Sequence, residues 1–183
     1  MKNKLLLHTC CAPCLIGTIP VIEQTESFVS SDISCFWYNP NIHPYTEYKS
    51  RFDSLNLYTS ENNINLIVSD NYGLVEFTKN VIDNLKERCG YCYGVRIKET
   101  AKYAKEHGFD MFSTTLLVSP YQNHEKIKDT CEEYANVFDI GFLYADFRVN
   151  FKNGQKSARE KNIYMQKYCG CIFSEQERYL KYL

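Results

Sequence analysis

The 183-residue chain lacks any apolar run approaching the roughly 18 residues that a membrane span needs. Its opening, Met-Lys-Asn-Lys and then three leucines, is too short for the apolar core of a secretory leader and shows no small-residue cleavage site. A cytoplasmic location is therefore expected. An excess of charge is missing too. The formal net charge of −1 neither supports nor excludes a nucleic-acid partner, so any basic footprint must be local. There is no Gly-rich phosphate loop, hence no ground for ATP use. Internal repeats, low-complexity tracts and linkers are also absent. One domain over residues 1–183, ending in a helical segment that carries Cys169 and Cys171, is the simplest description.

What is present starts with an ordinary globular balance of 44% hydrophobic and 23% charged residues. Against it stand nine cysteines, an odd number that fits complete disulfide pairing poorly. Without a secretory signal, thiols in a reducing compartment point to metal binding or redox catalysis.

Periodicity places these thiols on elements. Lys4–Thr9 reads as a buried strand, and Pro13 opens a helix to about Gln24. Ile33–Tyr38 is a second strand, closed by the turn Asn39-Pro40-Asn41. Tyr45 to about Glu61 has helical spacing. Ile64–Val68 is a third strand, and helices follow over Leu74–Lys86 and from about Tyr91 to His107, with Gly108 as cap. Phe109–Leu117 is a fourth strand, Glu125–Phe138 a helix and Phe142–Phe147 a fifth strand. A turn at Asn153-Gly154 precedes a mostly helical remainder. Strands alternating with helices predict an α/β domain with a mainly parallel sheet. Ligands bind beyond the carboxyl ends of such strands, where Cys10 and Cys11 fall.

Three thiol clusters use seven of the nine cysteines: Cys10-Cys11-Ala12-Pro13-Cys14, Cys89-Gly90-Tyr91-Cys92 and Cys169-Gly170-Cys171. Gathered thiolates form a soft site that selects zinc or an iron–sulfur cluster over magnesium or calcium. Spacing alone leaves both open. Cys169 and Cys171 read as a strained, labile disulfide, as ligands of a second metal, or as two unconnected thiols. Cys14 is either a further ligand or a small hydrophobe packed on the first helix, while Cys35 and Cys131 read as core residues. His8 could move protons or simply be a hydrogen-bonded histidine at a strand end. Asp146 and Arg148 read as site residues or as an ion pair. His43, Tyr121 and Gln122 complete the non-cysteine candidates.

With these motifs on the page, the chain resembles the cobalamin-independent epoxyqueuosine reductase family (QueH) almost from end to end. The resemblance rests on His8-Thr9-Cys10-Cys11-Ala12-Pro13-Cys14, and on Tyr38-Asn39-Pro40-Asn41-Ile42-His43-Pro44 with Glu47-Tyr48 and Arg51. It continues in Glu87-Arg88-Cys89-Gly90-Tyr91-Cys92-Tyr93 with Arg96, and in Thr114-Thr115-Leu116-Leu117-Val118-Ser119-Pro120-Tyr121-Gln122. Asp146-Phe147-Arg148, Arg159-Glu160 and Tyr168-Cys169-Gly170-Cys171 close it.

The resemblance implies an adenine-nucleotide-hydrolase-like, Rossmann-like sandwich. It implies reduction of epoxyqueuosine to queuosine at the wobble position of tRNA, the last step of queuosine formation. It further implies a 4Fe-4S cluster on Cys10, Cys11, Cys89 and Cys92, and a redox role for Cys169 and Cys171. A second iron, held partly by Cys169 and Cys171 with Cys14 as a further candidate ligand, is the competing arrangement, in which the metal acts as a Lewis acid that polarises the epoxide oxygen. His8, Tyr121 and Asp146 are the candidate proton donors. The partners expected are a tRNA anticodon loop and an unidentified electron donor. Arg88, Arg96, Arg148, Lys152, Lys156 and Arg159 would supply phosphate contacts. A zinc-binding RNA recognition module without catalysis and a metal-free thiol-disulfide oxidoreductase are the rival readings.

Overall fold

The computed structural model describes residues 3–25, 28–29 and 32–180. Leu5, Leu6 and Leu7 have no exposed surface and form most of β1 (Leu5–His8). A strand covered on both faces needs no polar alternation, which is why it reads as an unbroken apolar run. β1 pairs in parallel with β2 (Ile33–Trp37), Leu7 opposite Cys35. β3 (Asn65–Val68) lies beyond β2. On the other side β1 pairs in parallel with β4 (Met111–Thr114), and β5 (Gly141–Phe142) lies beyond it. The order is β3-β2-β1-β4-β5, the α/β Rossmann-like arrangement expected. The chain winds outward from β1 to β3 and then returns to the other side of β1. That reversal opens a crevice at the carboxyl ends of β1 and β4.

The helices are α1 (Ala12–Glu23), α2 (Tyr45–Glu61), α3 (Leu74–Val81), α4 (Arg88–Glu106), α5 (His124–Phe138), α6 (Phe151–Glu160) and α7 (Ile172–Tyr179). Among the described residues no helix is long and apolar enough to cross a membrane.

Four expectations need correction. Strand β4 stops at Thr114 instead of Leu117. The Thr114 hydroxyl accepts from the Leu116 N–H and turns the chain into a 3₁₀ segment, Thr115–Val118. The fifth strand is two residues rather than Phe142–Phe147, and Asp146 instead caps a 3₁₀ turn, Phe147–Asn150. Helix α3 ends at Val81, a 3₁₀ segment (Ile82–Glu87) continues it, and α4 starts at Arg88 rather than about Tyr91, so Cys89 and Cys92 sit one turn apart on α4. Finally, Asn153-Gly154 is no turn but lies inside α6. A Cβ at Gly154 would fall 2.6 Å from the Gly17 Cα of α1, so the pair lets two helix backbones approach closely.

Candidate functional site

The site grows from the turn after β1. Thr115, set by the 3₁₀ turn after β4, accepts the Cys10 N–H at 3.2 Å and donates to the Cys10 sulfur at 3.5 Å. The two strands at the reversal are thereby tied together across the crevice. Cys11 is the N-cap of α1, with Pro13 in its first turn, where its missing N–H costs nothing. One helical turn brings Cys14 back to Cys10 and Cys11. The three sulfurs lie within 4.8 Å of one another, all buried, in a group able to hold a metal ion. Those of Cys10 and Cys11 are 3.8 Å apart. The edge of a tetrahedron of thiolates about 2.3 Å from one ion is about 3.8 Å.

Electrostatics differentiates the trio. Hydrogen bonds from Cys11 and Cys14 hold the Cys10 thiol well below its usual range. Cys11 and Cys14 are pushed up, chiefly because each keeps its proton to donate to Cys10. The Gln166 amide lies over the group, its Nε2 3.2 Å from the Cys11 sulfur, with its buried Oε1 lacking a partner.

The remaining four motif thiols are assembled from two distant segments. Cys92 is buried on α4 and Cys89 is exposed one turn before it. Burial pushes the Cys92 thiol up to about 12, against the opposing charge of Arg96. Cys89 is likewise raised, by partial burial and then by Cys169. Cys171 caps α7, its sulfur accepting from the Ser174 N–H at 3.4 Å. Cys169 is exposed, and its sulfur accepts a hydrogen bond from Gln122 Nε2 at 3.1 Å. All nine cysteines are free thiols. Among the described residues the metal-sized thiol group is Cys10, Cys11 and Cys14; Cys89, Cys92, Cys169 and Cys171 join no such group.

Two buried arginines join these regions. Arg96 donates to the Cys92 sulfur at 2.9 Å and to the Cys92 carbonyl at 3.0 Å. Arg51 donates to Glu47 at 2.6 Å and to the carbonyls of Tyr168 and Cys169, both at 2.9 Å. Gly170, at φ +148°, allows the chain to turn against the Arg51 guanidinium, where a Cβ would meet Nη1 at 3.3 Å. His43 completes this clamp: its N–H donates to the Gly170 carbonyl, and its own carbonyl accepts the Tyr168 hydroxyl.

A cavity of about 510 Å³ opens between the thiol regions, lined by Cys10, Cys14, Cys169, Arg51, Arg96 and Gln166 among others. That volume suits one small-molecule-sized group. Tyr121, Gln122, Phe151 and Lys167 also line it.

The other expected residues fall outside this arrangement or take different tasks. His8 is fully buried between the Thr114 hydroxyl (2.9 Å) and the Tyr38 carbonyl (3.2 Å). The carbonyl fixes the proton on Nε2, leaving Nδ1 to accept from Thr114. Burial first, and Arg96 second, lower its pKa to about 4, so it is neutral near pH 7 with both nitrogens engaged. Asp146 is paired with Arg148 at 2.7 Å and does not line the cavity. Hydrogen bonding from Arg148 lowers its pKa, which keeps it an ionised acceptor. Cys35 and Cys131 are fully buried core residues, as expected. Of the proposed phosphate-binding cations, Arg88, Arg148 and Lys156 are paired with Glu177, Asp146 and Glu160. Arg96 is buried against Cys92.

Gln155, Gln166 and Lys167 were invisible in the sequence as site residues, because isolated polar residues carry no spacing signal. The Cys11–Cys14 interval of one helical turn was the clue to the trio.

Comparison with known proteins agrees with this constellation. A family model described as Epoxyqueuosine reductase QueH matches residues 5–177. A protein of that name from Dehalococcoides mccartyi is 37% identical over 181 residues, covering 99% of this chain and 97% of the relative. Its namesake from Acinetobacter baylyi is 34% identical over 183 residues, covering 94% and 80%. That from Thermotoga maritima is 32% identical over 186 residues, covering 96% and 92%. The chain that gathers its thiols around this crevice belongs to the epoxyqueuosine reductase QueH family.

Proposed function

We propose that this chain reduces epoxyqueuosine to queuosine at the wobble position of tRNA, using an iron–sulfur centre. The observation that carries the proposal is the cavity at the β1/β4 reversal, where Cys10, Cys14 and Cys169 face one space with Arg51 and Arg96. Family membership selects the substrate. The donor set suits the cofactor: soft thiols, mostly buried, with N–H donors from Gln166 and Arg96 aimed at sulfur.

Cys10 and Cys11, with Cys89 and Cys92, would hold the 4Fe-4S cluster. Such a cluster supplies electrons singly at the cavity wall. Cys14 stands close enough to Cys10 and Cys11 for the three to hold a single metal ion, which is the competing use of Cys10 and Cys11.

The reaction removes the epoxide oxygen as water and leaves an alkene. It consumes two electrons and two protons. The Cys169/Cys171 dithiol releases that number of each on closing to a disulfide. An external donor must reopen it. Gln122 holds the Cys169 sulfur at the cavity, and the Arg51 clamp holds the loop that carries it. Arg96, buried and lining the cavity, donates to the Cys92 sulfur and would balance thiolate charge there. With the one His8 proton committed to the Tyr38 carbonyl and Asp146 an ionised acceptor off the cavity, the Cys169/Cys171 thiols are themselves the proton source.

Anaerobic purification tests this reading. Brown protein containing iron and sulfide, able to convert epoxyqueuosine in tRNA to queuosine with a chemical reductant, is the expected result. Colourless protein with stoichiometric zinc and no turnover would establish a zinc-binding RNA module instead. Metal-free active protein would establish a thiol-disulfide enzyme.

A further inference from the structure

Tyr121 is the feature that the chemistry above leaves unused. It is 87% exposed, yet it lines the cavity, so its ring stands at the rim. The backbone beneath it is fixed. The Tyr121 N–H donates to the Ser119 hydroxyl, and the Gln122 N–H donates to the Ser119 carbonyl. The Gln122 side chain reaches inward to Cys169 and accepts a hydrogen bond from the Tyr93 hydroxyl. Phe151, at the start of α6, meets the Tyr121 ring edge to face, with centroids 5.9 Å apart and planes at 82°. An aromatic side chain is thus displayed to solvent on a hydrogen-bonded turn, one residue from the Gln122 that holds the Cys169 sulfur.

A cavity of about 510 Å³ takes one nucleoside. The neighbouring nucleotide of the same strand must then leave at the rim. Unpaired bases stack on aromatic faces, and their phosphates are drawn to cations. Lys167 and Arg178 line the same cavity. We infer that Tyr121, backed by Phe151, is the stacking platform for the loop base next to the one inserted. The inference rests on the reading that a modified tRNA loop is the substrate. It assigns Tyr121 a specificity role through its ring and no proton-transfer role through its hydroxyl.

The test uses the holoenzyme and an anticodon stem–loop RNA carrying epoxyqueuosine. Abasic versions of the RNA lack the base on one side or the other of the target. For the wild type, one abasic RNA should bind more weakly by an order of ten, the scale of one base stacked on an aromatic. Tyr121→Ala should lose a similar factor on the intact RNA and be indifferent to that abasic change. Tyr121→Phe should keep both affinity and turnover. Tyr45→Ala, at a tyrosine 57% exposed outside the cavity, serves as the control and should match the wild type.

Equal affinity of Tyr121→Ala and wild type, or additive losses from protein and RNA changes, would overturn the assignment. So would a Tyr121→Phe variant that binds normally but no longer turns over. If the wild type itself neither binds nor reduces the stem–loop, the substrate reading falls and takes the platform with it.

Discussion

The two thiol regions are built on opposite principles. Cys10, Cys11 and Cys14 come from five consecutive residues at a strand end and a helix start. They are buried and hydrogen-bonded to one another, and they are held by Thr115 across the sheet. Cys89, Cys92, Cys169 and Cys171 come from segments about eighty residues apart, and two of the four are exposed. Their sulfurs lean on Arg96, Gln122 and the start of α7. The first region is a rigid socket. The second is a jaw whose lower half depends on a clamp. The proposed cluster would draw Cys10 and Cys11 from the first region and Cys89 and Cys92 from the second, whereas the proposed Cys169/Cys171 dithiol belongs to the second alone and exposes one of its two thiols.

The largest expected effect breaks the socket. Cys10→Ser should abolish iron and sulfide loading and reduce turnover by more than about a hundredfold. Cys169→Ser should keep the iron yet fail in multiple turnover. If Cys169→Ser also loses its iron, measured by metal analysis, Cys169 is a metal ligand and the proposed dithiol role falls.

The next effect breaks the jaw. Arg51→Met leaves Glu47 charged and buried, and frees two carbonyls of the 168–169 segment. Losing one partner of a buried ion pair costs roughly 3–5 kcal/mol. Urea unfolding measures that cost, and limited proteolysis should find new cleavage near residues 161–171. A loss below about 1 kcal/mol would show that the loop does not need the clamp.

Acid acts on the same half. Burial lowers the His43 pKa to about 4 from an ordinary 6.5, against a compensating hydrogen bond to the Pro40 carbonyl. Between those values the unfolded chain binds more protons than the native one, so stability rises with pH. The His43 contribution is complete above pH 6.5 and is lost as pH falls toward 4. Its size is about 3 kcal/mol at 1.36 kcal/mol per unit. Urea midpoints at pH 7 and pH 4.5 should differ by at least that amount, and His43→Gln should remove about half of the dependence, because His8 carries an equal shift. An unchanged slope in that variant would assign the acid sensitivity elsewhere.

The smallest effect sharpens the role of one hydrogen bond. Gln122→Leu removes the N–H that holds the Cys169 sulfur. A bond of about 1 kcal/mol corresponds to a five- to tenfold fall in turnover, with iron content and unfolding midpoint unchanged. A simultaneous loss of iron would place Gln122 in the socket rather than the jaw.

Local pattern made much of the scaffold legible. The three leucines of β1, the aromatic run of β2 and the Tyr45–Glu61 periodicity each announced an element that the structure contains. Legibility failed where a distant partner overrode local chemistry. Asn153-Gly154 has turn composition, yet Gly17 from α1 needs a glycine opposite it, so the pair stays helical. β4 stops early because the Thr114 hydroxyl captures a nearby N–H, and that capture delivers Thr115 to Cys10. Of the six cations nominated for RNA, Arg88, Arg148 and Lys156 have carboxylate partners in Glu177, Asp146 and Glu160, which their positions in the chain did not announce.

The sequence by itself determined the soft donor inventory, the alternation of strands and helices, and the family to which the motifs belong. Each of these is written in residue type or in spacing within a few helical turns. Only the tertiary structure decided which thiols stand together, that Arg51 braces the Cys169 loop while Arg96 braces Cys92, and that Tyr121 remains outside while Gln122 turns in. Those outcomes depend on contacts between residues up to 155 positions apart, such as Gln166 with Cys11. Side-chain periodicity describes one element's faces, whereas the packing of the elements selects which faces meet.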